Sequence, residues 1–448
     1  MARVETEIVV VGAGIAGLTA ADRLHRDGVD VVVVEARERV GGRTWNTEIG
    51  GQANELGGQW IAPYQDAAHS LLGDLGLELF ESHRIGDRVY VGADGAPRRY
   101  RGHDAPLGER ADRSYARAME KLEAIVAEVD PERPWVHPNA RDLDATTFES
   151  WLRAEVDDDT ARGLLRGFMA GGFMTKPAEC FSVLGAAWVA AGAGSVDNLF
   201  EPELCLHSRV VGGSQLIAIR LAERVGWDRV HLGRPAREIR WSDTRVEVTA
   251  GTDTFTGRSA IVAIPPNLTS SIRFDPVLPS WRLRLEQSVS QGVTIKFLAV
   301  YDHPFWREDG LSGEGFAPYD FAREVYDNSP PSAEPGVLCT FLSGEVGEHA
   351  ARLSPSERRT RVIDGFARYF GPQAREVVDV HEVDWTAEEY TRGAFSATFG
   401  PGGLVRFGSD LRRPVGPIHW ANSDFSGVGN MHMDGAILSG QAAADAVR

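Results

Sequence analysis

Gly12-x-Gly14-x-x-Gly17 stands between an apolar run, Ile8-Val-Val-Val11, and a helix-period stretch leading to a second apolar run that ends at Glu35. Each glycine has its own duty in an anion site. Gly12 permits a tight turn, Gly14 lets backbone N–H groups approach a pyrophosphate, and Gly17 lets the helix pack close to the strand. The pyrophosphate then rests on a helix N-terminus, where unpaired N–H groups and the positive dipole end favour an anion. Glu35 follows Gly17 by 18 residues, where a carboxylate accepts from both ribose hydroxyls and repels a phosphate. The pattern therefore specifies a plain dinucleotide.

Lys296 is the second residue whose type demands an explanation. It interrupts Val293-Thr-Ile-Lys-Phe-Leu-Ala-Val300, an otherwise apolar strand. An unpaired ammonium in a core is strongly unfavourable unless it neutralises or finds water. Either Lys296 has work inside a site, or it snorkels from an edge strand.

The elements that must position these groups come from separated stretches. A Rossmann-like nucleotide-binding domain is expected from residues 1–78, 206–280 and 379–448. Its second stretch opens at the glycine turn Val210-Val-Gly-Gly-Ser-Gln215, passes through the alternating strand Val246-Glu-Val-Thr-Ala250 and ends at Ala260-Ile-Val-Ala-Ile-Pro-Pro266. A helix-rich stretch, 79–205, and a strand-rich stretch, 281–378, would form an α+β substrate domain, giving an α/β protein of two domains. Ser329-Pro-Pro-Ser-Ala-Glu-Pro335 reads as one surface loop.

At 448 residues the chain can bury two sizeable cores, and 43% apolar with 25% charged residues suits a soluble enzyme. The net charge of −17 argues against nucleic acid; the acids serve solubility or steer cationic ligands. Cys180, Cys205 and Cys339 are widely spaced and odd in number, the usage of a reducing cytoplasm, with no metal site. No run reaches membrane-spanning length, and Met1-Ala-Arg-Val-Glu-Thr-Glu7 leaves no room for a signal peptide before the first strand.

After Glu35 the chain continues Ala-Arg-Glu-Arg-Val-Gly41-Gly42-Arg43-Thr44, a second glycine loop with an arginine. This resembles the FAD-binding entry of the flavin amine oxidases, the monoamine and polyamine oxidase superfamily. The resemblance covers almost the whole chain: Glu55-Leu-Gly-Gly-Gln-Trp60, the Lys296 strand with Pro304-Phe-Trp306, Trp385 with Ala394 and Gly400-Pro-Gly402, and Met433-Asp-Gly435 with Leu438-Ser-Gly440 follow in the family's order. It implies FAD contacts from Gly12, Gly14, Gly17, Glu35, Arg37, Gly42, Arg43, Gly58, Gln59, Ala236, Trp385, Asp424 and Met433. Lys296 would hold a water near flavin N5 and assist reoxidation. Ala394 stands where mammalian relatives carry a flavin-linked cysteine, so FAD would be non-covalent.

The same resemblance places Phe395, His432, Trp60 and Leu206 in the substrate pocket. Phe395 and His432 occupy the positions of two facing tyrosines. A neutral His432 would hydrogen-bond a polar substrate and a protonated one an acidic group; the bland reading is an imidazole satisfied by a carbonyl at the helix start. Trp60 stands where L-amino acid oxidases of this fold place a carboxylate-binding arginine. The implied activity is oxidation of a small amine by hydride transfer to flavin N5, giving an imine and hydrogen peroxide, with molecular oxygen as acceptor and no membrane anchor. A homodimer is a further expectation. The competing readings are a flavin desaturase acting on C–C bonds, an L-amino acid oxidase-like enzyme and a flavin-binding protein without catalysis.

Overall fold

The computed structural model describes residues 2–102 and 105–448. Far-apart stretches of chain build one parallel five-stranded sheet in the order Val230–His231, Val31–Val34, Ile8–Val11, Ser259–Val262, Ile418–Trp420. Every residue of Ile8–Val11 and Val31–Val34 is buried, because both faces of the sheet are covered; hence the unbroken apolar runs. The two-residue period still sorts them. Ile8, Val10, Val31 and Val33 face the helices Ile15–Arg26, Gln215–Val225 and Met433–Val447. Val9, Val11, Val32 and Val34 pack on Ile239, Val246, Val248 and Phe255 of a second sheet, ordered Arg3–Glu5, Asp253–Gly257, Arg245–Ala250, Ala236–Ser242, Arg273–Asp275.

Close packing here depends on missing side chains. A Cβ on Gly17 would lie 2.0 Å from the Gly12 carbonyl oxygen, and one on Gly440 would lie 2.3 Å from that of Ala16. Gly17 thus acts by packing alone: the first helix sits tight against the turn, and the last helix against the first.

A seven-stranded sheet lies beyond, ordered Asp379–Asp384, Thr294–Tyr301, Gly336–Ser343, Glu324–Asp327, Leu311–Phe316, Asp87–Val91, Pro97–Tyr100. Helix Pro355–Phe370 opens with a Ser354/Glu357 capping box and presents Val362, Phe366 and Tyr369 to Phe297, Trp306 and Leu338. Stretch 79–205, read as helix-rich, begins with three strands before its helices start at Glu109–Ala127. Strand Asp379–Asp384, grouped by sequence with the nucleotide-binding stretches, pairs instead with Thr294–Tyr301. The Ser329–Pro335 segment is a surface loop only beyond Pro330, since Ser329 and Pro330 are buried. Helix Val183–Ala193 is apolar all round and buried in the helical layer. Among the described residues no helix is long and apolar enough to cross a membrane.

Candidate active site

One cavity is lined by the glycine loop, by Glu35 and by Lys296. Its nucleotide end lies at the carboxyl edge of the parallel sheet, where open α/β sheets bind ligands. Gly12 adopts φ +108°, and its N–H donates to the Val34 carbonyl at 2.8 Å. The following helix has no side-chain cap and no acid in its first turn, so its N–H groups stay open to an anion. Glu35 is buried at the end of its strand and accepts from the Ala13 N–H at 2.7 Å and the Arg37 N–H at 2.9 Å. One hydrogen bond per oxygen leaves further lone pairs for ribose hydroxyls. The Arg37 guanidinium donates to Thr391 Oγ1 at 2.6 Å and lies 5.7 Å from the Tyr390 ring centre. Ala236 lines the same cavity.

Arg43 joins this end to the next. It grips Asp424 through two nitrogens, Nη1 at 3.1 Å and Nη2 at 2.7 Å, and donates to the Phe395 carbonyl at 2.6 Å. Asp424 is fully buried behind Arg43 and also accepts the Ala397 N–H at 2.7 Å. It does not line the cavity, nor does Gly17; both support cavity residues from behind. Phe395 takes φ +59°, an unfavourable conformation for a side-chain-bearing residue. The strand Ala394–Phe399 shifts register there against Val289–Gly292, and such a bulge re-aims a side chain. The Phe395 ring meets Phe341 edge-on, with 6.0 Å between centroids.

Lys296 projects from Thr294–Tyr301, a strand flanked on both sides in the sheet, so the edge-strand reading fails. Its Nζ donates to the Gly57 carbonyl at 2.9 Å and to Gln59 Oε1, with Phe341 and Trp60 ring centres 5.4 and 5.9 Å away. Burial pushes its pKa down to about 8. Trp60 packs on Tyr326 and Phe341. Trp385 donates to the Leu56 carbonyl at 2.9 Å and forms more of the wall. Gly42, Gly58, Leu206 and Met433 also line the cavity.

His432 precedes the final helix and lines the cavity. Its Nδ1 lies 2.8 Å from the Asn430 carbonyl, which accepts only; Nδ1 therefore carries the proton of the neutral ring and Nε2 is an acceptor. Burial lowers its pKa, so the ring is neutral at physiological pH. The reading of an imidazole satisfied by a carbonyl at the helix start holds, and Nε2 remains free of that bond.

The residue missed from sequence is Glu324. It lines the cavity, and the Tyr326 hydroxyl donates to its Oε2 at 3.0 Å. Burial pushes its pKa up to about 7. Phe316, its partner across the strand ladder, stacks on Phe168 at 4.8 Å. Phe168 and Phe173 come from the π-helical turn Gly167–Phe173, and with Phe200 they add an apolar wall.

These residues fit a flavin dinucleotide. A Cβ added at Gly14 or Gly58 would meet nothing within 4 Å, so both backbones face open space. Ala394 in the wall offers no thiol. Cys205 does line the cavity, but burial pushes its thiol up to about 12, leaving it protonated and unreactive.

Known proteins align with this arrangement along its length. The family model of the flavin containing amine oxidoreductases matches residues 15–448. The chain is 42% identical to the putrescine oxidase of Kocuria rosea, over 98% of this chain and 95% of that one. It is 34% identical to an L-amino acid dehydrogenase of Synechocystis sp., over 98% and 94%. A solved structure of wild-type putrescine oxidase bound to putrescine superposes with a TM-score of 0.97 at 44% identity, covering 99% of each chain.

Proposed function

This chain belongs to the flavin-containing amine oxidoreductases, and from that premise we propose that it oxidises a short aliphatic diamine of the putrescine class with oxygen as acceptor. FAD is its cofactor, bound without a covalent link. The observation that carries the choice of substrate is Glu324, a carboxyl group on a cavity wall beside Tyr326, Phe341 and Phe168. A monoamine leaves that acid without an ion-pair partner in the cavity, whereas the far ammonium of a diamine neutralises it. The likeness to putrescine oxidase supports the same reading.

Bound FAD supplies an acceptor at N5 for the hydride leaving the amine α-carbon and returns the electron pair to oxygen as hydrogen peroxide. The chain's own residues set the conditions. Glu324 holds one ammonium and so fixes the reach of the other end of the substrate. Trp60, Tyr326, Phe341 and Phe395 wall off water, and an apolar surround disfavours the reacting ammonium, so that amine loses its proton before its α-hydrogen departs. His432 Nε2 accepts from an amine N–H. Lys296 offers positive charge where oxygen is reduced. The imine product hydrolyses to a carbonyl compound. Net negative charge draws the dication in, and three unpaired cysteines suit a cytoplasmic setting.

Among the described residues, the arginines that line the cavity offer an α-amino acid substrate no free carboxylate clamp. Arg43 is spent on Asp424 and Phe395, and Arg37 on Thr391 and Glu388. Arg237 follows a segment tied to Glu35 by the Arg234 N–H, at the nucleotide end. A lipid-like substrate for C–C desaturation has no use for a buried acid. The test is peroxide release from a panel of diamines, monoamines and L-amino acids. Diamines should lead in kcat/KM; a leading amino acid or monoamine would overturn the proposal.

A further inference from the structure

Lys296 is the cavity end of a chain of buried polar groups. Gln59, whose Oε1 accepts from Lys296, donates from Nε2 to Asn328 Oδ1 at 2.5 Å, and Asn328 Nδ2 donates to Asn54 Oδ1 at 2.5 Å. Asn54 Oδ1 also accepts the Glu55 N–H at 3.0 Å, while Asn54 Nδ2 donates to the Asn328 backbone carbonyl at 3.1 Å. Behind it the buried pair Arg209–Glu55 closes at 2.5 Å, and Arg209 Nη1 donates to the Asn328 and Ser329 carbonyls.

The polarity of this chain follows from its fixed end. A backbone N–H must meet the oxygen of the Asn54 amide, and a backbone carbonyl must meet its nitrogen. The Asn54 oxygen then requires the NH2 of Asn328, whose oxygen in turn requires the NH2 of Gln59. Only the Gln59 oxygen is left for Lys296. With Gly57 taking a second N–H, one ammonium N–H remains for the cavity. The charged and titratable groups around Lys296 are Glu55, already paired with Arg209, and the Cys339 thiol; among the described residues, no carboxylate is within ion-pair range of its Nζ.

We infer that Asn54 and Asn328 are positioning residues for Lys296, holding the Gln59 amide with its oxygen on the ammonium so that the lysine stays aimed into the cavity. The inference rests on Lys296 being the lysine that serves the proposed oxidation. Released from Asn328, the Gln59 amide is free to turn its NH2 toward the lysine. The charged form then loses an acceptor and the pKa of Lys296 falls.

The sequence makes this readable, because only Lys121, Lys176 and Lys296 are lysines among 47 basic residues. Holoenzyme labelled with [13Cε]lysine gives three signals, assigned by Lys121→Arg and Lys176→Arg, whose titration is followed by NMR. In Asn328→Ala the Lys296 midpoint should drop by about 1 pH unit. In Asn328→Asp, which keeps an acceptor for Gln59, it should stay at or above the wild-type value. Asn54→Ala removes the oxygen that orients Asn328 and should lower the midpoint as well, which serves if Asn328→Ala does not fold. A wild-type midpoint in either alanine variant would overturn the inference. Failure of the underlying role would appear elsewhere, as unimpaired reoxidation in Lys296→Met.

Discussion

The Tyr326 hydroxyl donates to Glu324 across 3.0 Å inside the cavity, yet burial outweighs this bond and the Arg323 charge and holds the carboxyl near pH 7. The free enzyme therefore carries Glu324 as the anion above about pH 7 and as the acid below it. The far ammonium of a diamine stays charged across that range, as an ordinary amine titrates near pH 10. Under the proposed diamine recognition, binding by ion pairing should thus be lost as pH falls.

On this basis, log kcat/KM for the diamine should fall below pH 7 with a slope of about 2, one proton for Glu324 and one for the reacting amine. Glu324→Gln should reduce the slope to about 1. A pH profile of both enzymes decides it, and identical acid limbs would remove Glu324 from substrate binding.

Glu35→Ala should weaken FAD binding by about 1.5–3 kcal/mol, the worth of hydrogen bonds to a charged group. The Ala13 and Arg37 N–H groups lose their acceptor as well, so the loop shape suffers with the ribose contacts. Titration of apoenzyme with FAD, followed by flavin fluorescence, gives the two dissociation constants. Equal values would show that Glu35 does not hold the ribose.

Lys296→Met keeps the length of the side chain and removes its charge. Reoxidation of the reduced enzyme by oxygen should slow by about 10²-fold, the usual cost of deleting one electrostatic stabiliser, with a smaller effect on reduction by amine. Stopped-flow traces of the two half-reactions separate these outcomes; reoxidation at the wild-type rate would contradict the role.

Acid precipitation should leave the flavin in solution as intact FAD, because Ala394 cannot form a thioether and Cys205 is held protonated. Yellow colour retained in the washed pellet would contradict non-covalent binding.

How far the sequence reveals this site depends on what builds each part. Where backbone geometry makes the feature, the position is written locally: the Gly12 turn, the acid at the strand end and the lysine in an apolar strand all stand out. Gly17 lies in a segment singled out by motif and Asp424 at a position implied by the resemblance, but both stand behind the wall, since neither signal says which side chain faces the ligand. Glu324 and Tyr326 read as an ordinary half-buried strand. Alternation is the same whether a face meets core or cavity, and only long-range register, such as Glu324 opposite Phe316, brings them to the site. The Asn54–Asn328 contact spans 274 residues and leaves no local trace. The helix-rich reading of 79–205 failed for the same reason at its start, where short strands gain stability only from distant partners.

Diamine recognition by Glu324 is the central claim, and anaerobic flavin reduction tests it most directly because oxygen chemistry plays no part. 1,4-Diaminobutane and n-butylamine, matched in carbon chain, are mixed with wild type and Glu324→Gln at pH 8 and the bleaching of the flavin is recorded. The wild type should be reduced by the diamine at concentrations about 10- to 100-fold lower than by butylamine, the span of one charge-assisted hydrogen bond, and the preference should vanish in the variant. Equal response of the wild type to both amines, or a preference that survives Glu324→Gln, would contradict the account.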